Sequence, residues 1–397
     1  MAMRTDENAK FYGAQWAAVI LLLSALVLVA CSSARNQTTV PPTRTPKPTF
    51  TTVVEALTPT PTATEAVTPT PTATASPSPT PTPTVNPYLN PLTGETVTDP
   101  AVLQRRPLLV RIGNDPQVRP QSGLSQADMV FEEAMDGWTI TRFTAIVWSK
   151  DPKALRPIRS ARLFTIELGH MFDGALVHSG ANDQVRWLLS QSGLTDLDEY
   201  FHAAPYSWIE PQGAWKAYPW MGRVTTSAEK LRNYLVAKGM EKAVRLPGFH
   251  FSASGDPVPE GQPATYVRIP YPARALVEFR YDPDQHLYKR YVQGEPHLDA
   301  LTDEQLTAAN VIVHYTVYQE TDVKDVNGIP TFNIVSTGEG RAQIFRDGVV
   351  IEAKWSRAEE KDFVRYTYLD GSPVPLRPGQ TWVEVVPPDY KTTYEAG

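Results

Sequence analysis

The sequence of 397 residues contains a single cysteine, Cys31. One cysteine excludes an intramolecular disulfide, a cysteine-ligated zinc site and a Cys-X-X-Cys redox pair. The seven histidines are widely spaced, and the two nearest, His170 and His178, flank a predicted turn, so we expect no metal site. The motifs GxxxxGK[ST], GxGxxG, HExxH and GxSxG are also absent, so no cofactor is expected.

Long apolar runs are scarce. The run from Ala17 to Ala30, 14 residues interrupted only by Ser24, is shorter than the roughly 20 residues of a membrane-spanning helix. It follows a positively charged start and ends in Leu-Val-Ala-Cys, which is typical of a bacterial lipoprotein signal peptide. We predict a signal peptide over residues 1–30, lipidation of Cys31 and an extracytoplasmic protein anchored to the cell membrane by that lipid. The alternative is an uncleaved anchor helix, which also places the bulk of the chain outside.

Residues 31–86 have too few apolar side chains to build a core. From Pro41 to Asn86 there are 12 Pro and 16 Thr among 46 residues, in repeats such as Thr-Pro-Thr-Pro-Thr. Such a segment cannot offset the entropy lost on ordering, so we predict a disordered tether. Proline favours polyproline II at about 3.1 Å per residue, which gives the tether a reach on the order of 140 Å.

Negative charge exceeds positive charge, with a formal net charge of −6. Residues 1–30 are neutral, and the predicted tether has three cations and two anions, so the remaining residues carry about −7. An acidic folded part is not expected to coat a nucleic acid, although a local basic pocket remains compatible with this charge.

Two folded parts are predicted after the tether, and together they give an α+β protein. In residues 87–258, strand-like runs alternate with helical patterns, which predicts an α/β sandwich. Residues 259–392 are strand-rich, and Asp347-Gly348 predicts a type I′ hairpin turn. The strands predicted in the first part are Leu108–Ile112, Met129–Glu132, Phe143–Trp148 and Gly174–His178. The helices predicted there are Ser160–Phe172, Asn182–Ser192 and one from a capping box at Thr226 to Gly239.

The segment 156–162, Arg-Pro-Ile-Arg-Ser-Ala-Arg, contains a proline turn and three arginines. Ser160 is placed to cap the next helix, whose free N–H groups would attract an anion. Arg159 and Arg162 add guanidinium groups suited to phosphate or carboxylate, and they repel each other when nothing neutralises them. We therefore predict an anion site at this helix start.

The alternative is structural, with the two arginines paired to Glu132, Glu133 or Glu167 inside the fold. Because Glu132 and Glu133 are adjacent on a predicted strand, they point to opposite faces and cannot both serve one site.

Eight blocks of sequence are informative together: Asn90–Gly94, Arg119–Asp128, Ile140–Phe143, Pro157–Arg162, Val177–Gly180, Tyr288–Tyr291, Ile344–Phe345 and Pro378–Val386. With them, residues 87–390 resemble the YerB-like lipoproteins, a bacterial envelope family whose signature domain has no assigned activity. The resemblance implies the fold and the envelope location. The matching positions of that family include Arg142, Arg159, Arg162 and His178, so Arg142 and His178 join the candidate anion site. The resemblance supplies no catalytic residue.

These features favour a non-catalytic binding or accessory module for cell-wall polymer, such as peptidoglycan, or for wall-synthesis proteins. The alternative is a phosphotransferase-like enzyme acting on a polyprenyl-pyrophosphate-linked wall precursor. The order of an acidic strand, a strand with an arginine, a proline turn and an arginine-bearing helix start is loosely similar to LytR-CpsA-Psr phosphotransferases. In that case Asp128 and Glu132 would join Arg142, Arg159 and Arg162 in one site.

Overall fold

The computed structural model describes residues 86–210, 222–272, 274–325 and 327–396. The predicted signal peptide, Cys31 and all but the last residue of the predicted tether lie outside these ranges. None of the helices in the described residues is long and apolar enough to cross a membrane.

Strands dominate the described residues. The strands are β1 (Leu108–Gly113), β2 (Met129–Ala134), β3 (Thr141–Val147), β4 (Ala175–His178), β5 (Thr195–Asp198), β6 (Ser207–Trp208), β7 (Val224–Thr225), β8 (Gln262–Pro263), β9 (Tyr266–Ile269), β10 (Val277–Asp282), β11 (Leu287–Val292), β12 (Glu295–Pro296), β13 (Leu298–Asp299), β14 (Glu304–Gln305), β15 (Thr307–Ala308), β16 (Asn310–Tyr315), β17 (Tyr318–Lys324), β18 (Pro330–Ile334), β19 (Gly338–Arg346), β20 (Val349–Arg357), β21 (Arg365–Thr367), β22 (Thr381–Val386) and β23 (Thr393–Glu395). The helices are α1 (Leu163–Phe172), α2 (Asp183–Gln191) and α3 (Ala228–Ala237), with short 3-10 turns that include Asp136–Trp138. The predicted α+β class is confirmed.

An eleven-stranded sheet runs through both predicted parts, in the order β21-β20-β19-β16-β22-β2-β3-β1-β4-β5, with β8 paired to β20. Its central link is β22, which is parallel to β2 on one side and to β16 on the other. The two predicted parts therefore share one sheet. The boundary predicted at residues 258 and 259 stays a prediction.

The central strands of this large sheet bury both faces, and β1 illustrates the alternation. Leu108, Val110 and Ile112 face a layer formed by the β9–β12 sheet and α3. Leu109 faces the opposite layer, formed by α1, α2 and the β17–β18 hairpin. Because side chains alternate along a strand, Arg111 and Gly113 share the face of Leu109.

Several strands of the large sheet point in the same direction. β1, β4 and β5 are parallel neighbours, as are β2, β22 and β16, and both β1 and β2 are antiparallel to β3. The carboxyl ends of these six strands therefore lie at one edge of the sheet, which we call the carboxyl edge. Open sheets with parallel strands commonly bind ligands at this edge.

Local sequence patterns predicted many elements well. α3 begins after Ser227, whose side chain accepts from Lys230 N at 3.2 Å, and it ends shortly before Gly239, which has a φ of +66°. The Asp347-Gly348 turn has φ values of +50° and +76°, as a type I′ hairpin requires. The helix that ends near Gly239 and the hairpin turn are therefore confirmed, but the capping box predicted at Thr226 is wrong, because Ser227 is the N-cap.

The prediction that Ser160 caps α1 is wrong, because α1 begins at Leu163 with Arg162 as its N-cap. Residues 158–161 instead form an extended wedge between the ends of β1 and β4. Arg159 N donates to Arg111 O at 2.9 Å, and Ala161 N donates to Gly180 O at 2.9 Å. The hydroxyl of Ser160 donates to Ser179 O at 3.1 Å, so it is not available to the helix.

Candidate functional site

Four arginines meet at the carboxyl edge, and we call them the arginine cluster. Arg111 lies on β1, Arg142 lies on β3, Arg159 lies in the extended wedge, and Arg162 lies at the start of α1. The other three are near enough to Arg142 to lower its pKa electrostatically. The structure thus brings together the three arginines that were predicted from the sequence and adds Arg111.

The strand register explains this convergence. Arg142 is the cross-strand partner of Gly113 on β1 and of Glu133 on β2. At Gly113 a Cβ atom would lie 2.6 Å from Cγ of Arg159, which is too close. A glycine at the end of β1 therefore lets the Arg159 side chain cross the sheet edge.

Three members of the cluster have carboxylate partners. Nη1 of Arg111 lies 2.6 Å from Oε1 of Glu133 and donates to Thr144 Oγ1 at 2.6 Å. For the two predicted site arginines, Nε of Arg159 lies 3.5 Å from Asp115, and Nε of Arg162 donates to Asp136 at 2.7 Å.

The partners of Arg159 and Arg162 differ from the three glutamates of the structural alternative. Asp115 and Asp136 follow the ends of β1 and β2, so the carboxyl edge itself supplies them.

Arg142 is the exception. It is 3% exposed, and within the described residues it makes no ion pair. Its one hydrogen bond there runs from Nη1 to Ser160 O at 3.4 Å, and its Nε has no partner. Burial holds the pKa of Arg142 well below its ordinary value, and Arg159 and Arg162 lower it further, although Asp115 opposes them in part. Arg142 is thus a buried cation with incomplete compensation.

Glu133 is also buried, and burial changes its pKa. Burial raises the pKa of Glu133 to about 7, even though Arg111 and Arg142 favour its charged form. A fully enclosed carboxyl group loses more from desolvation than it gains from one close cation. As the pH falls through 7, the cluster therefore gains net positive charge.

The arginine cluster lies in the layer between the large sheet and α1, and two of its members reach the surface. The side chains of Arg159 and Arg162 are 14% and 18% exposed. The cluster does not line the prominent cavities of 310 to 630 Å³ that are formed elsewhere in the described residues. Solvent access to the cluster therefore runs along Arg159 and Arg162.

His178 and Ser160 take different positions around this cluster. Ser160 adjoins it, because its carbonyl accepts from Arg142. His178 is buried at the end of β4 and faces β5, with Nε2 at 2.6 Å from Asp196 Oδ1 and Nδ1 at 3.0 Å from Gly180 O. Both ring nitrogens of His178 are therefore engaged away from the arginines.

Asp128 and Glu132 also lie apart from the cluster. Asp128 precedes β2, at the edge opposite the carboxyl edge, where it accepts from Asn90 Nδ2 at 2.6 Å and from Trp148 N at 2.7 Å. Glu132 points to the other face of the sheet, because successive residues of a strand alternate. It pairs there with Arg290 of β11.

Arg290 forms a second buried site, which sequence reasoning missed. It lies between the two sheets, pairs with Glu132, and has Nη1 at 3.1 Å from His297 Nδ1. Its guanidinium carbon lies 4.7 Å from the ring centroid of Trp382. The available sequence signal was an arginine at a core-facing position of an alternating strand, between Tyr288 and Val292.

The block Arg119–Asp128, one of the eight blocks that carry the family resemblance, contacts the second part of the fold. The buried carboxylate of Asp299 accepts from Gly123 N at 2.9 Å, and from Ser125 N and Oγ at 2.8 and 2.7 Å. Gln121 adds a contact with His297 Nε2 at 2.7 Å. The block therefore joins the strand-rich second part to the first.

Comparisons with known proteins agree with this architecture. Two family models match the chain, "Protein of unknown function (DUF3048) N-terminal domain" over residues 92–242 and "Protein of unknown function (DUF3048) C-terminal domain" over residues 267–383. The protein "Putative lipoprotein YerB" of Bacillus subtilis (strain 168) is 30% identical over 307 residues, which cover 75% of this chain and 86% of that protein. The crystal structure of YerB protein from Bacillus subtilis aligns with a TM-score of 0.64 and 27% identity, over 77% of this chain and 99% of that chain. The resemblance predicted from the sequence is confirmed, and the chain belongs to the DUF3048 family.

Proposed function

We propose that the protein is a lipoprotein held outside the cytoplasmic membrane, and that its folded part binds an anionic group of a cell-wall polymer or precursor at the arginine cluster. The anchor is supported by the sequence around Cys31 and by the name of the relative YerB. The observation that carries the binding function is Arg142, a buried guanidinium group with no ion pair in the described residues.

Electrostatics favours an external anion at this position. A buried charge without a partner costs several kcal/mol. An anion beside Arg142 restores charge-assisted hydrogen bonds. The start of α1 adds its own partial positive charge to the cluster. A phosphate group, which accepts several such bonds at once, matches this arrangement best.

Binding is favoured over phosphoryl transfer by the positions of the carboxyl groups. Those nearest the cluster belong to Asp115, Glu133 and Asp136, and each is engaged by an arginine. Asp128 and Glu132, which the enzyme alternative requires, are engaged at other places in the fold. The cluster is therefore better suited to retain an anion than to activate one.

Isothermal titration of the full-length protein in detergent with inorganic pyrophosphate tests the anion site. Arg142→Gln should weaken binding by at least about tenfold, because a hydrogen bond to a charged group contributes about 1.5–3 kcal/mol. Arg268→Gln, which changes an exposed arginine on β9, is the matched control and should bind like the wild type. Equal affinities for the Arg142 variant and the wild type would contradict the proposal.

The anchor is tested separately. Cys31→Ala should leave an unlipidated precursor whose signal peptide is not cleaved at that residue. Normal processing with membrane retention in this variant would exclude the lipoprotein assignment.

A further inference from the structure

A second feature of the carboxyl edge is a group of exposed aromatic side chains, which we call the aromatic surface. Tyr200 is 71% exposed, Phe201 is 65% exposed, and Trp208 is 58% exposed. Tyr200 and Phe201 follow Glu199 in the loop after β5, the outermost strand of the large sheet at that side. Soluble proteins rarely leave adjacent large rings in water unless the rings contact a partner.

The rings of Tyr200 and Phe201 are held in a defined geometry. Their centroids lie 5.0 Å apart with planes at 88°. The guanidinium carbon of Arg186 on α2 lies 5.2 Å from the Tyr200 centroid and 5.9 Å from the Phe201 centroid. A cation close to both rings restricts their movement and leaves the rest of their surface exposed.

Buried Asp198 fixes the backbone beneath the rings. Its carboxylate accepts from Gly180 N at 2.9 Å, from Tyr200 N at 3.1 Å and from Arg186 Nε at 3.1 Å. The exposed rings are thus supported by a hydrogen-bonded loop, which lowers the entropy cost of binding.

Carboxylates are interleaved with the rings. Glu199 accepts from Trp208 Nε1 at 2.8 Å and from Ser179 Oγ at 3.3 Å, so it connects the loop after β5 to Trp208 on β6. Glu210 follows Trp208 on β6, has an 87% exposed side chain and lies 3.4 Å from Nη2 of Arg223. Glu199 makes no ion pair in the described residues, so its charge among the rings opposes contact with an anionic lipid surface or a nucleic acid. A hydrophobic protein interface would have fewer charges at its centre.

A sugar polymer can contact both the aromatic rings and the carboxylates of this surface. The axial C–H groups of a pyranose form an apolar face that stacks on an aromatic ring, and its hydroxyl groups donate to carboxylates. We propose that the aromatic surface binds a polysaccharide chain, with sugar rings stacked on Tyr200, Phe201 and Trp208 and hydroxyls donated to Glu199. This site is separate from the anion site, and only its placement at the cell wall rests on the proposed function.

Titration of the full-length protein in detergent with uncharged chito- and cello-oligosaccharides, followed by tryptophan fluorescence and calorimetry, tests this proposal. Trp208→Ala and the double variant Tyr200→Ala/Phe201→Ala should each weaken binding by about tenfold or more, as expected for the loss of stacked rings. Tyr88→Ala removes an exposed ring outside the surface, at 46% exposure, and is the matched control. If Trp208→Ala alters the melting temperature, Glu199→Gln replaces it as the second variant.

The two sites can be distinguished by crossing variants and ligands. Arg142→Gln should keep its affinity for the uncharged oligosaccharide, and the aromatic variants should keep their affinity for pyrophosphate. The polysaccharide proposal is overturned if neither oligosaccharide binds the wild type, or if the aromatic variants bind it as the wild type does. It is equally overturned if these rings are needed only for binding to anionic vesicles or for self-association.

Discussion

Arg290 and Arg142 are both buried, and they lie on opposite sides of the large sheet. Arg290 lies between the two sheets, with Glu132, His297 and the ring of Trp382 around its guanidinium group. Arg142 lies on the side of α1, where its nearest charged neighbours include two further arginines. The two arginines are thus buried to a similar degree, but the charge of Arg290 is compensated by its neighbours far more fully than the charge of Arg142.

In the proposed function, this difference separates a structural charge from a binding charge. The interior supplies Arg290 with an anion, a hydrogen-bond acceptor and a polarisable ring, so its charge is paired within the described residues even though its Nε has no hydrogen-bond partner there. Arg142 has one long hydrogen bond to a backbone carbonyl. Because a buried charge must be neutralised from some source, the missing compensation at Arg142 is expected to come from a ligand.

The largest effect is expected at Arg290. Arg290→Met leaves Glu132 buried without its cation, so the free energy of unfolding should fall by about 3–5 kcal/mol. Urea denaturation monitored by tryptophan fluorescence measures this change. Arg268→Met, at an exposed position of β9, should change stability by less than about 0.5 kcal/mol. A loss below about 1 kcal/mol for Arg290→Met would contradict the interpretation of Arg290 as a structural charge that stabilises the fold.

Local sequence patterns predicted the individual strands better than they predicted which strands pair in the large sheet. A short apolar run and a two-residue turn are properties of a few consecutive residues, so β1, β3 and the β19–β20 hairpin could be recognised from the sequence alone. The pairing of β2 with β22 joins Val130 to Trp382, and no local pattern specifies such a distant partner. The shared sheet was therefore beyond sequence reasoning.

The candidate site was also predicted only in part, because local spacing does not identify residues that come from distant parts of the sequence. The spacing of Arg159 and Arg162 indicated an anion site, and the structure adds Arg111 from a neighbouring strand. The N-cap at Ser160 failed because the hydroxyl is engaged by Ser179, 19 residues later. Asp136 was missed as a partner because it reaches Arg162 only through the turn after β2.

The next effect concerns pH on the Arg142 side. The folded-state pKa of Glu133 is about 7, above the ordinary value of 4.5, so the folded state binds more protons between these values. Its contribution therefore makes stability fall as the pH rises from about 4.5 to 7, by on the order of 3 kcal/mol. Urea denaturation at several pH values should show this slope, and Glu133→Gln should flatten it. An unchanged slope in Glu133→Gln would assign the titration to another group.

A smaller loss is expected at Arg162. Arg162→Met removes the ion pair with Asp136, whose side chain is 5% exposed, but Asp136 still accepts from Phe332 N at 3.0 Å. The expected cost is about 2 kcal/mol, the usual effect of removing one partner of a buried charged hydrogen bond. The double variant Arg162→Met/Asp136→Asn should recover part of this loss, because it removes the unpaired charge. Strictly additive losses in the double variant would mean that the two side chains do not interact.

The smallest effect on stability, and the sharpest contrast with Arg290, is expected at Arg142. Arg142→Met removes a buried cation that has no ion pair in the described residues and relieves its repulsion with Arg159 and Arg162. Without added anions, the free energy of unfolding should stay the same or rise by up to about 1 kcal/mol. With pyrophosphate at about 100 times its Kd, the wild type should gain about 2.7 kcal/mol and the variant should gain far less. A loss comparable to that of Arg290→Met without added anions, or an equal gain from pyrophosphate in the variant and the wild type, would show that Arg142 is not a binding group.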